Sequence, residues 1–401
     1  MKKKLLLIMA GEPYTAYYYK KFSLLRKKDP NIVVKVWSLL PILNKKIYKK
    51  YFPKGQHKIY RNKNFKNIET LINLKKEFKK LPGTFYFANH SPKLLKSFLI
   101  ERLLSFKGGK KIILQLGGIP QLEIALIEKL KFRISNFNFL SIIKILSFPI
   151  NFLKNLIIRC LEVNPILFFV PNKYWFNLKV KNSDISKVKK INDYEYEVFK
   201  KIKNQPRKNN LIVFIDEMKE SPYDHDLYWS YPYSWLLNTK EYWKNIDNFL
   251  SILHSKTGID PIIAGAHRRR NKDFPIQRKF IMNKTPELIK NSKLVVGHSS
   301  TALHYAILFK KPIILLNIKA FKNKQTDLLY TKLFCELVGC TEINLEKFLI
   351  KNNNFSLKKS LKVDKKKYNK FVNDYLKFSG SNKENLWNKV LFVLKKQEIR
   401  T

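Results

Sequence analysis

Residues 293–317, KLVVGHSSTALHYAILFKKPIILLN, indicate the fold of this chain. Two short apolar runs, 294–296 and 313–316, have the character of buried strands, and residues 302–309 between them have the character of a helix. A strand–turn–helix–strand unit of this kind is typical of a parallel α/β sheet. The turn that joins the first strand to the helix consists of Gly297, His298, Ser299, Ser300 and Thr301.

Two interpretations of this turn are open. A turn of glycine and hydroxyl residues at the carboxyl end of a parallel strand can present N–H groups and hydroxyls to a phosphate. Alternatively, Ser299 or Ser300 simply caps the following helix. The residues around other strand ends decide between the two.

The same alternation of apolar runs and helix-compatible stretches extends through both halves of the chain, which predicts βαβ units and buried parallel strands. We predict an N-terminal Rossmann-like domain at residues 1–205, a C-terminal Rossmann-like domain at 206–363 and a helical tail at 364–401 that packs back on the first domain. The predicted fold class is α/β, with two Rossmann-like domains facing across a cleft. The predicted strands are 5–9, 33–37, 84–88, 112–116, 166–170, 211–215, 260–264, 294–296 and 313–316.

Charge and composition restrict the class of partner. The chain has 401 residues, of which 45% are hydrophobic and 14% aromatic, so it can fill the cores of two domains. Its 79 Lys and Arg outweigh 30 Asp and Glu, for a formal net charge of +49. A positive surface suits nucleotide phosphates, acidic glycans and phospholipid head groups. No nucleic-acid-binding module is visible, so we expect no nucleic-acid partner.

The expected compartment is the cytoplasm. Three cysteines are too few for a disulfide framework, and Cys335 and Cys340 lack the spacing of a zinc site. The apolar run at 5–10 is too short for a signal peptide and is better interpreted as a first strand. No uncharged apolar run reaches the length of a membrane span.

Polar clusters follow three predicted strands of the second half. Asp216 and Glu217 follow the strand at 211–215, and His267 and Arg268 come shortly after the strand at 260–264. The turn at 297–301 is the third cluster. Because open α/β sheets bind ligands at the carboxyl ends of their strands, we expect the three to converge. A carboxylate there can act as a general base, and His-Arg with hydroxyls can hold a phosphate leaving group.

This order of an acidic pair, a histidine at a strand end and a Ser-Ser-Thr turn resembles bacterial surface or capsular polysaccharide glycosyltransferases of the GT-B fold. The resemblance is best to their sialyltransferase-like and polysialyltransferase-like group and covers residues 211–317. It implies that Asp216 or Glu217 deprotonates the acceptor, that His267 contacts the donor phosphate, and that Ser299 and Ser300 hold that phosphate. His267 is followed by Arg268, where the group's motif has proline.

The resemblance implies transfer of a sugar from a nucleotide-sugar donor, with CMP as a candidate nucleotide, to a glycan or lipid-linked glycan acceptor. We expect neither a cofactor nor a metal at the donor phosphate. Two other classes remain open: a non-hydrolysing nucleotide-sugar epimerase of the same fold, and a non-catalytic protein that binds glycans or membranes.

The first half carries weaker signals. Glu12 and His90 each follow a predicted strand and are candidates for the acceptor side of the cleft, although His90 is equally well explained as a buried structural residue. The apolar and aromatic segment at 137–170 is interrupted by basic residues. It is either a buried helix pair or an amphipathic surface that lies peripherally on the anionic inner face of the cytoplasmic membrane.

Overall fold

A computed structural model gives the fold. It describes residues 4–11, 21, 31–52, 64–91, 94–117, 148–180, 184–218, 239–266, 276–318, 325–351, 356–378 and 385–397. Two parallel β-sheets, one in each half of the chain, dominate the architecture. The predicted fold class is therefore confirmed.

The first sheet has seven parallel strands in the order β3-β2-β1-β4-β5-β6-β7. The chain moves outward from β1 to one edge, then returns to β4 on the other side of β1. This is the strand order of a doubly wound dinucleotide-binding fold. The strands are β1 Lys4–Ala10, β2 Ile32–Ser38, β3 Phe65–Asn67, β4 Phe85–His90, β5 Gly109–Leu114, β6 Leu167–Val170 and β7 Val188–Lys190.

The second sheet repeats this plan with six parallel strands in the order β10-β9-β8-β11-β12-β13. Here the chain starts at β8, moves outward to β10 and returns to β11. The two halves are therefore both Rossmann-like. The strands are β8 Leu211–Ile215, β9 Pro261–Gly265, β10 Phe280–Met282, β11 Ser292–Gly297, β12 Ile313–Asn317 and β13 Thr341–Asn344.

Helices connect the strands and cover the sheets. Those of the first half are α1 Leu40–Leu43, α2 Lys45–Tyr51, α3 Leu71–Lys79, α4 Leu95–Phe106, α5 Phe148–Leu161, α6 Lys173–Val180 and α7 Tyr194–Ile202, with a 3₁₀ turn at Ile185–Lys187. Those of the second half are α8 Thr239–Thr257, α9 Thr285–Lys290, α10 Leu303–Leu308, α11 Gln325–Val338, α12 Leu345–Lys351, α13 Leu357–Ser360, α14 Lys365–Phe371 and α15 Leu386–Lys396, with a π-helical turn at Val372–Leu376.

Both faces of each sheet are buried. Along β1, Leu6 and Ile8 pack into one core, whereas Leu5 and Leu7 pack into the core on the opposite face. In β8, Val213 and Phe214 divide in the same way between two further cores. Parallel strands covered on both faces are apolar at every position, which is why these strands were recognisable as continuous apolar runs.

The predicted helical tail, residues 364–401, packs partly on the second sheet and partly on the first. Tyr368 and Phe371 of α14 pack in the core of the second sheet. Helix α15 instead packs in a core of the first sheet, where Trp387 is 1% exposed. The Lys4 ammonium donates hydrogen bonds to the carbonyl oxygens of Leu394, Lys395 and Gln397 at the end of α15, at 2.7–3.1 Å. The beginning and the end of the described chain are thus joined.

Helix α7 links the two cores. Tyr194 at its start belongs to a core of the first sheet, and Ile202 at its end belongs to a core of the second. The π-helical turn adds two further ties, since the Asp193 N–H donates to the Leu376 carbonyl at 3.2 Å and the Asn172 amide donates to the Tyr375 carbonyl at 2.8 Å. Residues from three separate parts of the chain therefore meet where the halves join.

We expect Trp387→Ala to destabilise the protein by about 3–5 kcal/mol, because it leaves a cavity between α15 and the first sheet. Phe392→Ala on the same helix is the matched control, since Phe392 is 49% exposed; it should change stability by less than about 0.5 kcal/mol. Urea denaturation of both variants is the measurement. Equal losses in the two would contradict the packing of α15 described above.

Candidate active site at the carboxyl edge of the second sheet

The crevice of the second sheet lies between β8 and β11, because the chain leaves these two neighbouring strands in opposite directions. Val296 pairs with Phe214 in the parallel register, so the two strands end side by side. Asp216 and Glu217 follow β8, and the turn at residues 297–301 follows β11. The structure thus brings together two of the three clusters that the sequence predicted. The third, His267 and Arg268, lies outside the described residues.

Asp216 ties the ends of two strands together. It is 4% exposed, and its carboxylate oxygens face the N–H groups of Met218 at 2.8 Å and Ala266 at 3.4 Å. Its own N–H donates to the Ala264 carbonyl at 3.0 Å. Asp216 therefore holds the segment after β8 against the segment after β9, directly before residue 267. The neighbouring Glu217 is only partly buried.

The His298 imidazole faces the protein interior and is fully buried. Nδ1 lies 2.7 Å from the Leu316 carbonyl oxygen and Nε2 lies 2.9 Å from the Tyr242 hydroxyl. Because a carbonyl only accepts, Nδ1 carries a proton, and in the neutral ring Nε2 accepts from Tyr242. The ring thus ties β11 to β12 and α8. A phosphate-binding role for residue 298 therefore rests on its backbone, as the predicted phosphate-binding turn requires.

The hydroxyl residues of the turn at 297–301 differ in their hydrogen bonding and exposure. Ser300 Oγ accepts a hydrogen bond from the Ala302 N–H at 3.2 Å, which holds the turn directly before α10, whereas the N-terminus of α10 at Ala302 has no side-chain cap. A hydroxyl that accepts in this way retains its proton and can still donate to a ligand. Ser299 is 7% exposed, and Thr301 is partly buried. Gly297 allows β8 and β11 to end close together, since a Cβ there would lie 3.3 Å from Ile215 Cβ.

The first sheet presents an equivalent crevice between β1 and β4, where Ala10 pairs with His90. Burial, followed by the nearby Lys21 charge, lowers the pKa of His90 to about 3, so its imidazole is neutral at physiological pH. Asn89, beside it, donates to Glu101 Oε1 at 2.5 Å. Glu101 Oε2 in turn pairs with buried Lys111 at 2.6 Å. Glu12 lies outside the described residues.

Sequence reasoning missed two features of this region. Tyr242, the partner of His298, lies in α8, 56 residues before it in the chain. A buried cluster of Asp193, Glu195 and His304 lies where the two halves meet. In the sequence, Asp193 and Glu195 have the pattern of an ordinary helix start, and His304 that of a helix residue, so no local signal distinguishes them.

The two Rossmann-like halves, with their crevices at strand ends, define an α/β fold of the GT-B type. No protein-family model matches the sequence, and no curated protein matches it. Solved structures do match. The wall teichoic acid polymerase TagF is similar with a TM-score of 0.54 at 11% identity, over 98% of this chain and 89% of that one.

Two structures described as UDP-GlcNAc 2-epimerases match this chain with TM-scores close to that of TagF. The UDP-GlcNAc 2-epimerase of Methanocaldococcus jannaschii, in complex with UDP-GlcNAc and UDP, matches with a TM-score of 0.52 at 13% identity, over 98% of this chain and all of that one. A putative UDP-N-acetylglucosamine 2-epimerase from Listeria monocytogenes matches with 0.51 at 12% identity, over 98% and 96%. At these identities the comparisons establish the fold alone.

We expect Tyr242→Phe to destabilise the protein by about 1–3 kcal/mol, because it removes the donor to buried His298 Nε2. Tyr48→Phe is the control, since the Tyr48 hydroxyl accepts a long, 3.4 Å hydrogen bond from the Asn67 amide. Chemical denaturation compares the two variants. If Tyr242→Phe were as stable as the control, His298 would not depend on Tyr242 in the folded protein.

Proposed function

We propose that this protein is a glycosyltransferase that moves a sugar from a nucleotide-sugar donor to a surface or capsular glycan acceptor. The observation that carries the proposal is the juxtaposition of the acidic pair Asp216-Glu217 with the Ser299–Thr301 turn at the crevice of the second sheet. This reaction requires a general base beside hydrogen-bond donors that can bind the phosphate of the leaving nucleotide. The GT-B-type fold, shared with TagF, is consistent with it.

In the proposed reaction an acceptor hydroxyl oxygen attacks the anomeric carbon of the donor sugar. The bond from that carbon to the phosphate oxygen breaks, and the nucleotide leaves with the electron pair. We assign the proton from the acceptor to Glu217, since both carboxylate oxygens of Asp216 face backbone N–H groups. Asp216 is then a positioning residue for the loop that leads to residue 267.

The leaving phosphate would be held by the Ser299 and Ser300 hydroxyls and by backbone N–H groups of the turn. His267 and Arg268 complete the phosphate site in this proposal, and Arg is well suited to phosphate oxygens. The net charge of +49 favours the approach of an anionic donor. From the motif order we further propose a CMP-linked donor, as in the sialyltransferase-like group.

A thermal-shift panel with CMP, CDP, UDP, GDP and their sugars tests donor binding. One nucleotide class should stabilise the wild-type protein, because a ligand that binds only the native state raises its stability. Ser299→Ala should weaken binding of that nucleotide by about 10- to 100-fold, the effect of a lost hydrogen bond to a charged group.

Ser300→Ala should weaken nucleotide binding and also lose the hydrogen bond from the Ala302 N–H that holds the turn before α10. Ser356→Ala is its matched control, because Ser356 caps α13 through an Oγ–Lys359 N hydrogen bond away from the crevice. The control should lose stability but keep nucleotide affinity. If no nucleotide stabilised the protein, or if Ser299→Ala bound as tightly as wild type, the proposed donor site would be wrong.

A nucleotide-sugar epimerase is the second candidate, favoured by the full-length structural match to UDP-GlcNAc 2-epimerase. Incubation with the stabilising nucleotide sugar alone, followed by NMR of the sugar, separates the two. An epimerase converts the donor without an acceptor, whereas a transferase needs one. A protein that binds glycans or membranes without catalysis would leave the donor unchanged in both experiments.

We also propose that the first half docks peripherally on an anionic membrane. Helices α4 and α5 contact each other and expose apolar side chains at helical spacing. We call this surface the apolar face; it comprises Leu95, Leu99, Leu103 and Phe106 of α4 and Leu153, Leu156 and Ile157 of α5. Exposed apolar side chains grouped on two contacting helices are typical of a site that binds a partner or a membrane.

Charge favours a membrane over a protein as the partner. Lys96, Arg102 and Lys107 lie on or beside α4, and Arg159 lies on α5. Apolar side chains flanked by basic groups match an anionic bilayer, where each nearby Lys or Arg contributes about 1 kcal/mol. Among the described residues no helix is long and apolar enough to cross a membrane.

Vesicle co-sedimentation tests the apolar face. The wild-type protein should bind phosphatidylglycerol-rich vesicles, and bind less at high salt. A Leu103→Asp, Phe106→Asp double variant should bind roughly 100-fold more weakly, from the loss of two buried side chains. Ile350→Asp is the control, because Ile350 is 81% exposed on α12 of the second half. Unchanged binding by the double variant would exclude this face as the docking site.

A further inference from the structure

Three ionisable side chains are buried together where the two halves meet. Asp193 and Glu195 lie at the start of α7, which links the two cores, and His304 lies in α10 of the second half. They are 0%, 8% and 1% exposed. One ligand atom from each lies within 4.8 Å of those of the other two. We call this set the junction cluster; within the described ranges it is the one group of three such side chains that converges in this way.

Most polar atoms of the junction cluster are not satisfied within the protein. Asp193 Oδ1 accepts from the Glu195 N–H at 2.9 Å. Four atoms remain buried and without a hydrogen-bond partner in the described structure: Asp193 Oδ2, Glu195 Oε2, and Nδ1 and Nε2 of His304. Buried polar atoms are almost always bonded, so four such atoms at one point mark a candidate ligand site.

Two occupants are conceivable, a shared proton and a metal cation. A proton between the carboxylates would satisfy the two free oxygens but leave both nitrogens of His304 unbonded. A cation bound to His304 and to both carboxylates would satisfy three of the four atoms. It would also neutralise two buried carboxylates, whose desolvation is otherwise uncompensated.

Burial perturbs the ionisable groups of the junction cluster. Burial, and next the neighbouring Glu195, raise the pKa of Asp193 well above its ordinary value. Burial also lowers the pKa of His304. The Lys21 charge offsets the effect on Asp193 only in part. A divalent cation supplies the positive charge that both carboxylates lack.

Gly117 shapes one wall of the junction cluster. Its φ of +148° is a conformation that side chains rarely adopt. A Cβ at this position would lie 2.7 Å from Glu195 Oε2 and 2.9 Å from Asp193 Oδ2, the two oxygens without partners. A glycine backbone therefore borders the carboxylate oxygens where any other residue would collide with them.

We propose that the junction cluster binds a divalent cation of the zinc class, with Asp193, Glu195 and His304 as its protein ligands. One imidazole and two carboxylates suit zinc, whereas Mg²⁺ and Ca²⁺ prefer ligands that are all oxygen. The cation joins α7 to α10 and so clamps the two halves together. The backbone N–H of His304 donates to the Thr301 carbonyl at 3.1 Å, so the cation also steadies the turn at residues 297–301. This cation site is separate from the proposed site for the donor phosphate. The cation proposal therefore does not depend on the proposed transferase activity.

Metal analysis of the full chain, purified without a polyhistidine tag from zinc-supplemented culture, is the first test. We expect roughly one zinc per chain. Removal of the metal with dipicolinate should lower Tm, and adding Zn²⁺ should restore it while Mg²⁺ should not. Calorimetric titration of the stripped protein with Zn²⁺ then gives the affinity.

Glu195→Gln and His304→Gln each remove one ligand with little change in volume. Each should weaken zinc binding by at least about ten-fold, since even indirect partners of a metal site contribute that much. His254→Gln is the matched control, because His254 pairs with Asp260 at 3.0 Å on the surface and lies outside the junction cluster. It should bind zinc as wild type does.

The opposite results would overturn the proposal. If the stripped wild-type protein bound no Zn²⁺ and kept its Tm, the junction cluster would share a proton instead, and Glu195→Gln would leave Tm unchanged or raise it. Zinc affinity unaffected by Glu195→Gln and His304→Gln would place the bound zinc elsewhere. If a variant does not fold, chelation and restoration of the wild-type protein decide the question alone.

Discussion

Burial of both faces of two parallel sheets is the constraint on which the rest of this structure depends. The central strands β1 and β8 contribute side chains to a core on each side, so helices must cover both faces of each sheet. Covered faces leave only the strand ends open to ligands. The doubly wound strand order then creates one crevice in each sheet, where neighbouring strands send their connections in opposite directions. The candidate site is a direct consequence of this plan.

Within that crevice, several polar residues contribute to the architecture. Asp216 binds two backbone N–H groups and His298 binds Leu316 and Tyr242, so each holds strand ends in register. Glu217 and the serine hydroxyls are the groups that the proposed function assigns to the substrate. The proposed transferase chemistry thus rests on a framework of buried hydrogen bonds, each of which is costly to break.

The junction between the halves is the second organising feature. Helix α7 spans two cores, α15 returns from the second half to the first sheet, and the π-helical turn bonds to residues 172 and 193. The junction cluster adds buried charge at this position. Its side chains come from two parts of the chain more than 100 residues apart, and its proposed cation would make the relative position of the halves depend on metal binding.

All interior strands of both sheets were predictable from the sequence, to within a few residues. The edge strands β3, β7, β10 and β13 were not. Interior strands are apolar at nearly every position, so hydrophobicity identifies them. An edge strand has one neighbour and is partly exposed; β7, for example, reads Val-Lys-Lys and has no apolar run. Edge strands are stabilised by backbone pairing, for which the side chains carry little signal.

The sequence by itself determined the α/β class, the division into two similar halves and the polar residues that follow each central strand. Periodicity and turn chemistry are local properties, and a chain displays them before it folds. Tertiary structure alone decided that the His298 ring points inward, that Asp216 ties two strands together, and that Asp193, Glu195 and His304 meet. These are contacts between residues distant in sequence, and they exist only once packing has brought the strands and helices together.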